Sequence, residues 1–202
     1  MNYSGFKAVR TISLETDGNE YILRAVLELK GIARLTGYGP VVEESRFTVV
    51  DGVIQPLLYV IGEQKENPKR DIRIEFDWAR GISRGFAKGE EQNLPLEKGI
   101  QDPLTFELMG RLKLTDGERK FTMNVHEGHR IRQYTFVPQR EEMVNVASRA
   151  DDAEKFFIDR NSSRELYYWF NPEYLYLPLM IQQVHGQKIS GTVSLTSSSL
   201  LH

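Results

Sequence analysis

The chain has 202 residues, of which 40% are hydrophobic and 27% are charged, and its formal net charge at pH 7 is -2. This composition is typical of a globular protein, and a chain of this length buries roughly 70% of its unfolded surface on folding. The charge gives no electrostatic reason to expect a nucleic-acid partner or an anionic lipid surface. The absence of cysteine excludes disulfides, thiolate metal ligands and cysteine nucleophiles.

We expect one domain over residues 1–202, because one core is the default at this length. No run of 18 apolar residues occurs, so no membrane-spanning helix is expected. The first ten residues, MNYSGFKAVR, lack the apolar segment of a signal peptide. We therefore expect either a cytosolic protein or a sequence from which a targeting segment has been left off.

Asp-Gly pairs mark the first predicted turns. Three of them lie between apolar segments: Asp17-Gly18, Asp51-Gly52 and Asp116-Gly117. Because Asp-Gly suits hairpin turns that need positive φ, each pair is predicted to reverse the chain. Residues 21–35 fit both a strand and a helical stripe, and the preceding turn favours a strand that ends near Gly31, before a short helical turn.

Residues 45–60 are predicted to form a strand, a tight turn and a returning strand. Pro56 lies in the returning strand and cannot donate a backbone hydrogen bond, which indicates an edge or a bulge. Arg46 lies on the opposite face from Ser45. If both faces are covered, Arg46 is buried and needs a partner, for which Asp77 or Glu75 is suitable. Such a pair would be structural or the polar end of a ligand cavity.

Alternation of apolar and polar residues gives the clearest strand signal. In residues 71–78 the apolar positions are Ile72, Ile74, Phe76 and Trp78. Successive side chains of a strand point to opposite faces, so this segment is predicted to be a half-buried strand. Residues 120–126 and 188–196 repeat the pattern, and His185-Gly186 is predicted to reverse the chain before the last strand.

One helix is predicted, starting at Asp102. Asp102 suits the N-cap and Pro103 suits the first helical position, where its missing N–H costs nothing. Leucines then follow at helical spacing, while Gly110 weakens the helix by about 1 kcal/mol relative to alanine. Polar, breaker-rich segments at residues 62–70, 89–99 and 149–152 are predicted loops.

Residues 166–183, LYYWFNPEYLYLPLMIQQ, are rich in aromatic side chains and contain no positive charge. Tyr167, Trp169 and Tyr174 would suit a carbohydrate-stacking platform. We favour instead a packed strand in which alternate rings cover the two faces of a sheet. The whole pattern predicts a mainly β fold, either an antiparallel barrel, a half-barrel or a strongly curved sheet, with one short helix.

Four segments, in this order, resemble the pattern of bacterial envelope proteins of the family called domain of unknown function 3108. The matching residues are Gly52, Pro56 and Tyr59; Phe76, Asp77 and Trp78; Asp102, Pro103 and Leu104; and Tyr176, Leu177 and Pro178. The resemblance spans roughly residues 45–183. It implies a β-rich domain in the periplasm or envelope, with no established activity and no catalytic residues to carry over.

We therefore predict a non-enzymatic, envelope-associated β-domain without a cofactor. Its partner would be a lipid-like or other apolar small molecule, or an envelope protein. The candidate ligand-binding residues are Arg46, Tyr59, Asp77, Trp78, Trp169 and Tyr176.

Two alternatives remain open from the sequence. A hydrolase or glycan-processing enzyme would use Asp77, His126 or His129, and it requires at least two of these side chains to converge. His126 and His129 are also weak metal-ligand candidates, although we favour two exposed histidines at a turn. A structural module would instead bind a partner through an exposed strand edge.

Overall fold

The computed structural model describes residues 2–3, 6–30, 40–63, 71–146 and 149–200. Its strands are β1 (Asn2–Tyr3), β2 (Phe6–Asp17), β3 (Glu20–Lys30), β4 (Val41–Val50), β5 (Val53–Glu63), β6 (Ile72–Asp77), β7 (Ile82–Ala87), β8 (Glu90–Pro95), β9 (Phe121–His126), β10 (Ile131–Val146), β11 (Arg149–Asp159), β12 (Arg164–Asn171), β13 (Leu177–His185) and β14 (Lys188–Ser194). Within these residues there is one α-helix, α1 (Thr105–Thr115), and a 3-10 helix at Pro172–Tyr174. The predicted mainly β, antiparallel fold with one short helix is confirmed.

The chain divides into two compact units. The N-terminal unit contains Lys7–Met109 and Met123–Arg132, and the C-terminal unit contains Met1–Phe6, Gly110–Thr122 and Gln133–His202. Both α1 and β9 therefore contribute residues to each unit. The expectation of a single domain over residues 1–202 stays a prediction. No helix in the described part of the chain has the length and apolar content that crossing a bilayer requires.

The N-terminal unit contains an antiparallel sheet in the order β8-β7-β6-β5-β4-β3-β2. Leu23, Ser45, Tyr59 and Ile74 lie opposite one another on four neighbouring strands, so they share one face. All four are buried, and Asp102, just before α1, contacts Ser45 on this face, which we call the helix-side face.

Asp-Gly turns form two of the connections in the described part of this sheet. Asp51 and Gly52 both have positive φ, at 52° and 75°, as a two-residue hairpin between β4 and β5 requires. Farther along the same hairpin, Arg46 pairs with Leu58 and the next residue, Phe47, pairs with Pro56. Leu57 is therefore an extra residue in β5, which is a β-bulge. The bulge predicted from Pro56 is therefore confirmed. Asp17-Gly18 connects β2 with β3 in the same sheet, and His185-Gly186 connects β13 with β14 in the C-terminal unit.

Asp116-Gly117 was expected to form a hairpin turn, and that prediction is wrong. The pair ends α1: the Gly117 amide donates to the Leu114 carbonyl at 3.0 Å, and the Glu118 amide donates to the Lys113 carbonyl at 2.9 Å. These two bonds form a Schellman motif, which needs a left-handed residue, and Gly117 supplies it with φ 89°.

Two predicted loops also proved to contain strands. Residues 89–99 include β8, whose polar, exposed side chains hid its strand character because it lies at the edge of the sheet. Residues 149–152 open β11, which pairs with β10. The helical turn expected after Gly31 and most of the predicted loop at residues 62–70 lie outside the described residues.

The C-terminal unit contains an antiparallel sheet in the order β1-β14-β13-β12-β11-β10. One face carries the rings of Phe136, Phe156 and Phe170, whose centroids lie 5.9–6.4 Å apart; Phe136 stacks on Phe170, and Phe156 meets both rings edge-on. A Cβ at Gly110 would lie 2.5 Å from the Phe136 ring, so the glycine lets α1 approach this ring closely. On the other face Trp169 is only 3% exposed and packs with four buried neighbours, Val144, Val146, Ala153 and Leu179. The aromatic segment is thus interior packing.

Gly85 provides a test of strand packing in the N-terminal unit. A Cβ at this position would lie 1.8 Å from the Arg73 carbonyl oxygen of the paired strand. We expect Gly85→Ala to lower the free energy of unfolding by about 3 kcal/mol, because backbone atoms must shift to admit the methyl group. Urea unfolding followed by circular dichroism measures this change.

The matched control is Gly62→Ala in β5, where the nearest atom to an added Cβ is 3.9 Å away. This variant should unfold within about 0.5 kcal/mol of the parent protein. Equal stability of the Gly85 and Gly62 variants would contradict the close strand approach.

Candidate functional site

The helix-side face is organised by the residue that starts α1. Asp102 Oδ1 accepts hydrogen bonds from the backbone amides of Leu104 and Thr105, each at 2.8 Å. Thr105 Oγ1 in return accepts from the Asp102 amide at 3.0 Å. This reciprocal pair satisfies amides that have no partner within the helix. The predicted N-cap is confirmed.

The second carboxylate oxygen of Asp102 connects the helix to the sheet. Asp102 Oδ2 accepts a hydrogen bond from Ser45 Oγ of β4 at 2.5 Å, and both side chains are fully buried. Burial raises the pKa of Asp102 to about 6, although the hydrogen bonds from Ser45, Thr105 and Leu104 act in the opposite direction.

Beside this link lies a group of four polar side chains, Arg10, Glu43, Tyr59 and Glu107, which we call the polar cluster. The Tyr59 hydroxyl donates to Glu43 Oε1 at 2.6 Å. The Arg10 guanidinium lies 3.8 Å from Glu43 Oε2 and 3.9 Å from Glu107 Oε2. Burial raises the pKa of Tyr59 well above its usual value, and Glu43 adds to the effect. Two carboxylates face one guanidinium, so the ionised cluster carries a charge of -1.

The same face becomes apolar and exposed farther along β2. Ile12 lies opposite Ala25, and Leu14 lies opposite Leu23. The two β3 residues are buried, whereas Ile12 is 47% exposed and Leu14 is 51% exposed. We call Ile12 and Leu14 the apolar strip. Because Arg10 precedes Ile12 by two residues, it points to the same face, and the polar cluster therefore adjoins the apolar strip.

Of the six residues predicted to bind a ligand, Tyr59 belongs to the polar cluster. Arg46 lies on the opposite face of β4, and its Nε is 3.3 Å from Glu44 Oε1. Its observed partner is therefore not Asp77 or Glu75. The side chain of Arg46 is 41% exposed, so it remains hydrated on this face and does not need a buried partner.

Asp77 and Trp78 lie at the end of β6. Asp77 accepts hydrogen bonds from the backbone amide of Arg80 at 3.0 Å and from its guanidinium at 3.4 Å. The Trp78 indole N–H donates to the Pro56 carbonyl at 2.6 Å, and its ring stacks on Phe76. These contacts close the turn after β6.

Trp169 and Tyr176 belong to the C-terminal unit. The Trp169 indole donates to Glu142 Oε2 at 2.9 Å, and Lys155 Nζ lies 4.6 Å from the centre of its ring. The Tyr176 hydroxyl accepts from Arg119 Nη1 at 2.6 Å. Each ring is buried with its polar atom bonded, as expected of packed Trp and Tyr side chains.

His126 is not the exposed turn residue that was expected. Gly128 N donates to His126 Nδ1 at 3.1 Å, so the proton is on Nε2, which donates to Ser83 Oγ at 2.8 Å. Ser83 donates in turn to the Leu94 carbonyl. Burial lowers the pKa of His126 to about 4. The ring is a fully bonded, neutral core histidine, because β9 places it inside the sheet.

The hydrolase alternative gains no support from these positions. His129 Nε2 contacts Lys88 Nζ at 2.9 Å, while Asp77 binds Arg80. Within the described residues no hydrogen bond joins any two of Asp77, His126 and His129. The same part of the chain contains no group of three or more His, Asp or Glu side chains that would hold a metal ion.

The sequence alone did not indicate Arg10, Ile12, Leu14 or Glu43 as site residues. A partial signal was available in β2, where Ile12 and Leu14 alternate with the polar residues Thr11, Ser13 and Glu15. Alternation assigns these residues to one face, but it does not show whether that face is covered.

The buried carboxylate gives a pH test. The folded pKa of Asp102, about 6, lies above its ordinary 3.8, so its contribution to stability is present at low pH and is lost as the pH rises through 6. The free energy of unfolding of Asp102→Asn, relative to that of the parent, should therefore rise by about 2 kcal/mol between pH 4 and pH 7. Urea unfolding at half-unit pH steps measures the difference.

His126→Gln is the opposing control. The pKa of His126 in the folded parent protein, about 4, lies below the ordinary 6.5. The contribution of His126 to stability is therefore present above pH 6.5 and is lost as the pH falls through 4. The free energy of unfolding of His126→Gln, relative to that of the parent, should therefore rise as the pH falls. Two slopes of the same sign would contradict the burial of one or other group.

Comparison with known proteins assigns the chain to a protein family. The model of the family described as protein of unknown function (DUF3108) matches residues 1–188. A crystal structure of a beta-barrel-like protein of domain of unknown function DUF1849 from Brucella abortus is similar in fold, with a TM-score of 0.52 and 12% identity over 96% of this chain and 90% of that chain. No curated protein matches the sequence. The chain belongs to the DUF3108 family.

Proposed function

We propose that the protein is a non-enzymatic, envelope-associated β-domain that holds a lipid-like ligand on the helix-side face of its N-terminal unit. The observation that carries the proposal is the exposure of Ile12 and Leu14 on a face where their β3 partners, Ala25 and Leu23, are buried. Both side chains adjoin the polar cluster through Arg10. An amphipathic molecule has an apolar part and a polar part, and this face offers a matching surface to each.

The apolar strip supplies the favourable energy in this proposal. Covering apolar surface contributes about 25 cal/mol per Å², or about 0.8 kcal/mol for each buried methylene group. The polar cluster supplies orientation, as a few fixed polar groups do in ligand sites that are otherwise apolar. The periplasmic or envelope location is part of the proposal, and the family resemblance supports it.

A second candidate is an interaction module that binds a partner through β8. In the described residues β8 pairs with β7 and with no other strand, so one row of its backbone groups is available for pairing. Glu90, Glu91 and Pro95 in this strand oppose uncontrolled edge pairing. Static light scattering separates the candidates, because self-pairing through β8 raises the mass with protein concentration, whereas a ligand carrier keeps a constant mass.

The apolar strip can be tested with a neutral apolar probe, N-phenyl-1-naphthylamine. We expect the parent protein to bind it saturably, and Ile12→Ser with Leu14→Ser to weaken binding about tenfold, since about 1.4 kcal/mol of apolar contact is lost. Probe fluorescence during titration gives both dissociation constants.

The matched control is Ile189→Ser in the C-terminal unit, because Ile189 is 60% exposed but lies outside the helix-side face. Its dissociation constant should equal that of the parent. Failure of the parent to bind the probe, together with the absence of any co-purified ligand in native mass spectrometry, would refute the carrier function.

A further inference from the structure

We propose that the N-terminal unit carries a second site, which binds a hexuronic-acid unit of a saccharide with its carboxylate on Arg84 and its pyranose ring on Phe86. The site lies on the face of the sheet opposite the helix-side face, which we call the outer face. This inference goes beyond the lipid-binding function and does not depend on it, because different side chains form the two sites.

An open groove of about 680 Å³ lies along β6, β7 and β8 on the outer face. Ile74 of β6 is buried on the helix-side face, and successive side chains of a strand alternate, so its two neighbours in β6 point outward. The volume of the groove falls within the range of about 300–1,000 Å³ that small-molecule sites occupy. Six exposed side chains line the groove: Arg73, Glu75, Arg84, Phe86, Glu91 and Asn93.

Arg84 is the group in this groove that is available to a carboxylate. Strand pairing places it between Glu75 of β6 and Asn93 of β8. Glu75 is bound instead to Arg73, whose Nη2 donates to its Oε1 at 2.8 Å. Within the described residues Arg84 forms no hydrogen bond or ion pair. Its planar fork of N–H donors therefore remains available, and this fork matches a carboxylate through two parallel hydrogen bonds.

Phe86 supplies an apolar surface beside Arg84. The two residues share the outer face of β7 and lie about 7 Å apart along the strand, because each residue advances it by about 3.3 Å. Phe86 is 36% exposed, so its ring is accessible. The C–H groups of a pyranose pack on the negative face of an aromatic ring. A sugar ring on Phe86 therefore brings a carboxylate at its edge to Arg84.

Glu91 favours a sugar over an apolar or aromatic acid. It lies opposite Phe86 on the edge strand β8, and Asn93 lies two residues farther along the same face. An apolar ring on Phe86 removes water from the Glu91 carboxylate and the Asn93 amide without replacing their hydrogen bonds, which is costly. The hydroxyls of a sugar donate to Glu91 and both donate to and accept from Asn93.

The charge of the groove favours one carboxylate rather than a polyanion. Its lining contains two arginines, Arg73 and Arg84, and two glutamates, Glu75 and Glu91, so the formal charges cancel. A phosphate on Arg84 brings extra negative charge close to both glutamates, and like charges at such distances are unfavourable. A monoanion with a neutral, hydroxylated remainder fits this distribution of charge.

Three probes separate the chemistries: methyl β-D-glucuronide, methyl β-D-glucoside and benzoate, each titrated at pH 7 into the ¹⁵N-labelled full chain. Amide chemical shifts give the dissociation constants and locate the binding. We expect the glucuronide to bind about tenfold tighter than the glucoside and tighter than benzoate. It should shift the amides of Arg84 and Phe86 and leave those of Ile12 and Leu14 unchanged.

Arg84→Gln should reduce the preference for the glucuronide over the glucoside at least fivefold while leaving the affinity for the glucoside unchanged. The matched control is Arg46→Gln, which removes the same charge from the outer face of β4, three strands away from β7. This control should keep the preference of the parent. Phe86→Leu should weaken the binding of both sugars about threefold, because it keeps an apolar side chain but removes the flat ring.

The outcomes are independent of the lipid-binding proposal, which concerns the helix-side face. If neither sugar shifts the amides of Arg84 and Phe86, the saccharide site is wrong. Equal affinities for the glucuronide and the glucoside would overturn the role of Arg84. Binding of benzoate as tight as that of the glucuronide would also overturn the inference, because the sugar hydroxyls would then contribute nothing.

Discussion

The hydrogen bond between Ser45 and Asp102 is the contact on which the arrangement of the N-terminal unit depends. A buried carboxylate is costly unless hydrogen bonds satisfy it, and Asp102 is fully buried. One of its oxygens caps α1, and the other binds β4. The start of the helix is therefore held over the sheet at one position, since any displacement leaves a buried oxygen without its donors.

The position of the helix divides the helix-side face into a covered part and an exposed part. Under the helix, Ser45, Tyr59 and Ile74 form core on three neighbouring strands. Glu107 extends from the helix to Arg10 at the border, and beyond Arg10 the apolar strip of β2 is exposed. A surface that changes from core to ion pair to exposed aliphatic residues along one strand is suited to an amphipathic molecule.

Much of the fold follows from short-range features of the sequence. The Asp102 cap, the Asp51-Gly52 turn and the Pro56 bulge were predicted because each depends on the backbone preferences of a few adjacent residues. The alternation in β6 was equally local. Asp116-Gly117 shows the limit, because a dipeptide that favours positive φ serves a hairpin turn and a helix end equally well.

The site was harder to predict because it depends on which faces are covered. Arg46 and Arg10 each lie in an alternating strand, yet one remains hydrated beside Glu44 and the other lies between the sheet and α1. The sequence around His126 also indicated a turn, whereas the chain folds the ring against Ser83. These differences arise from tertiary packing, which periodicity does not contain.

The most direct test of this account is a double-mutant cycle on the contact between β4 and α1. The free energies of unfolding of Ser45→Ala, Asp102→Ala and the double variant are compared with that of the parent by urea unfolding. Alanine at either position removes the hydrogen bond, and the loss of the helix cap cancels in the cycle. We expect a coupling energy of about 1–3 kcal/mol, because the two residues share a buried hydrogen bond. Effects that add to within about 0.5 kcal/mol would contradict it, because the two side chains would then act independently.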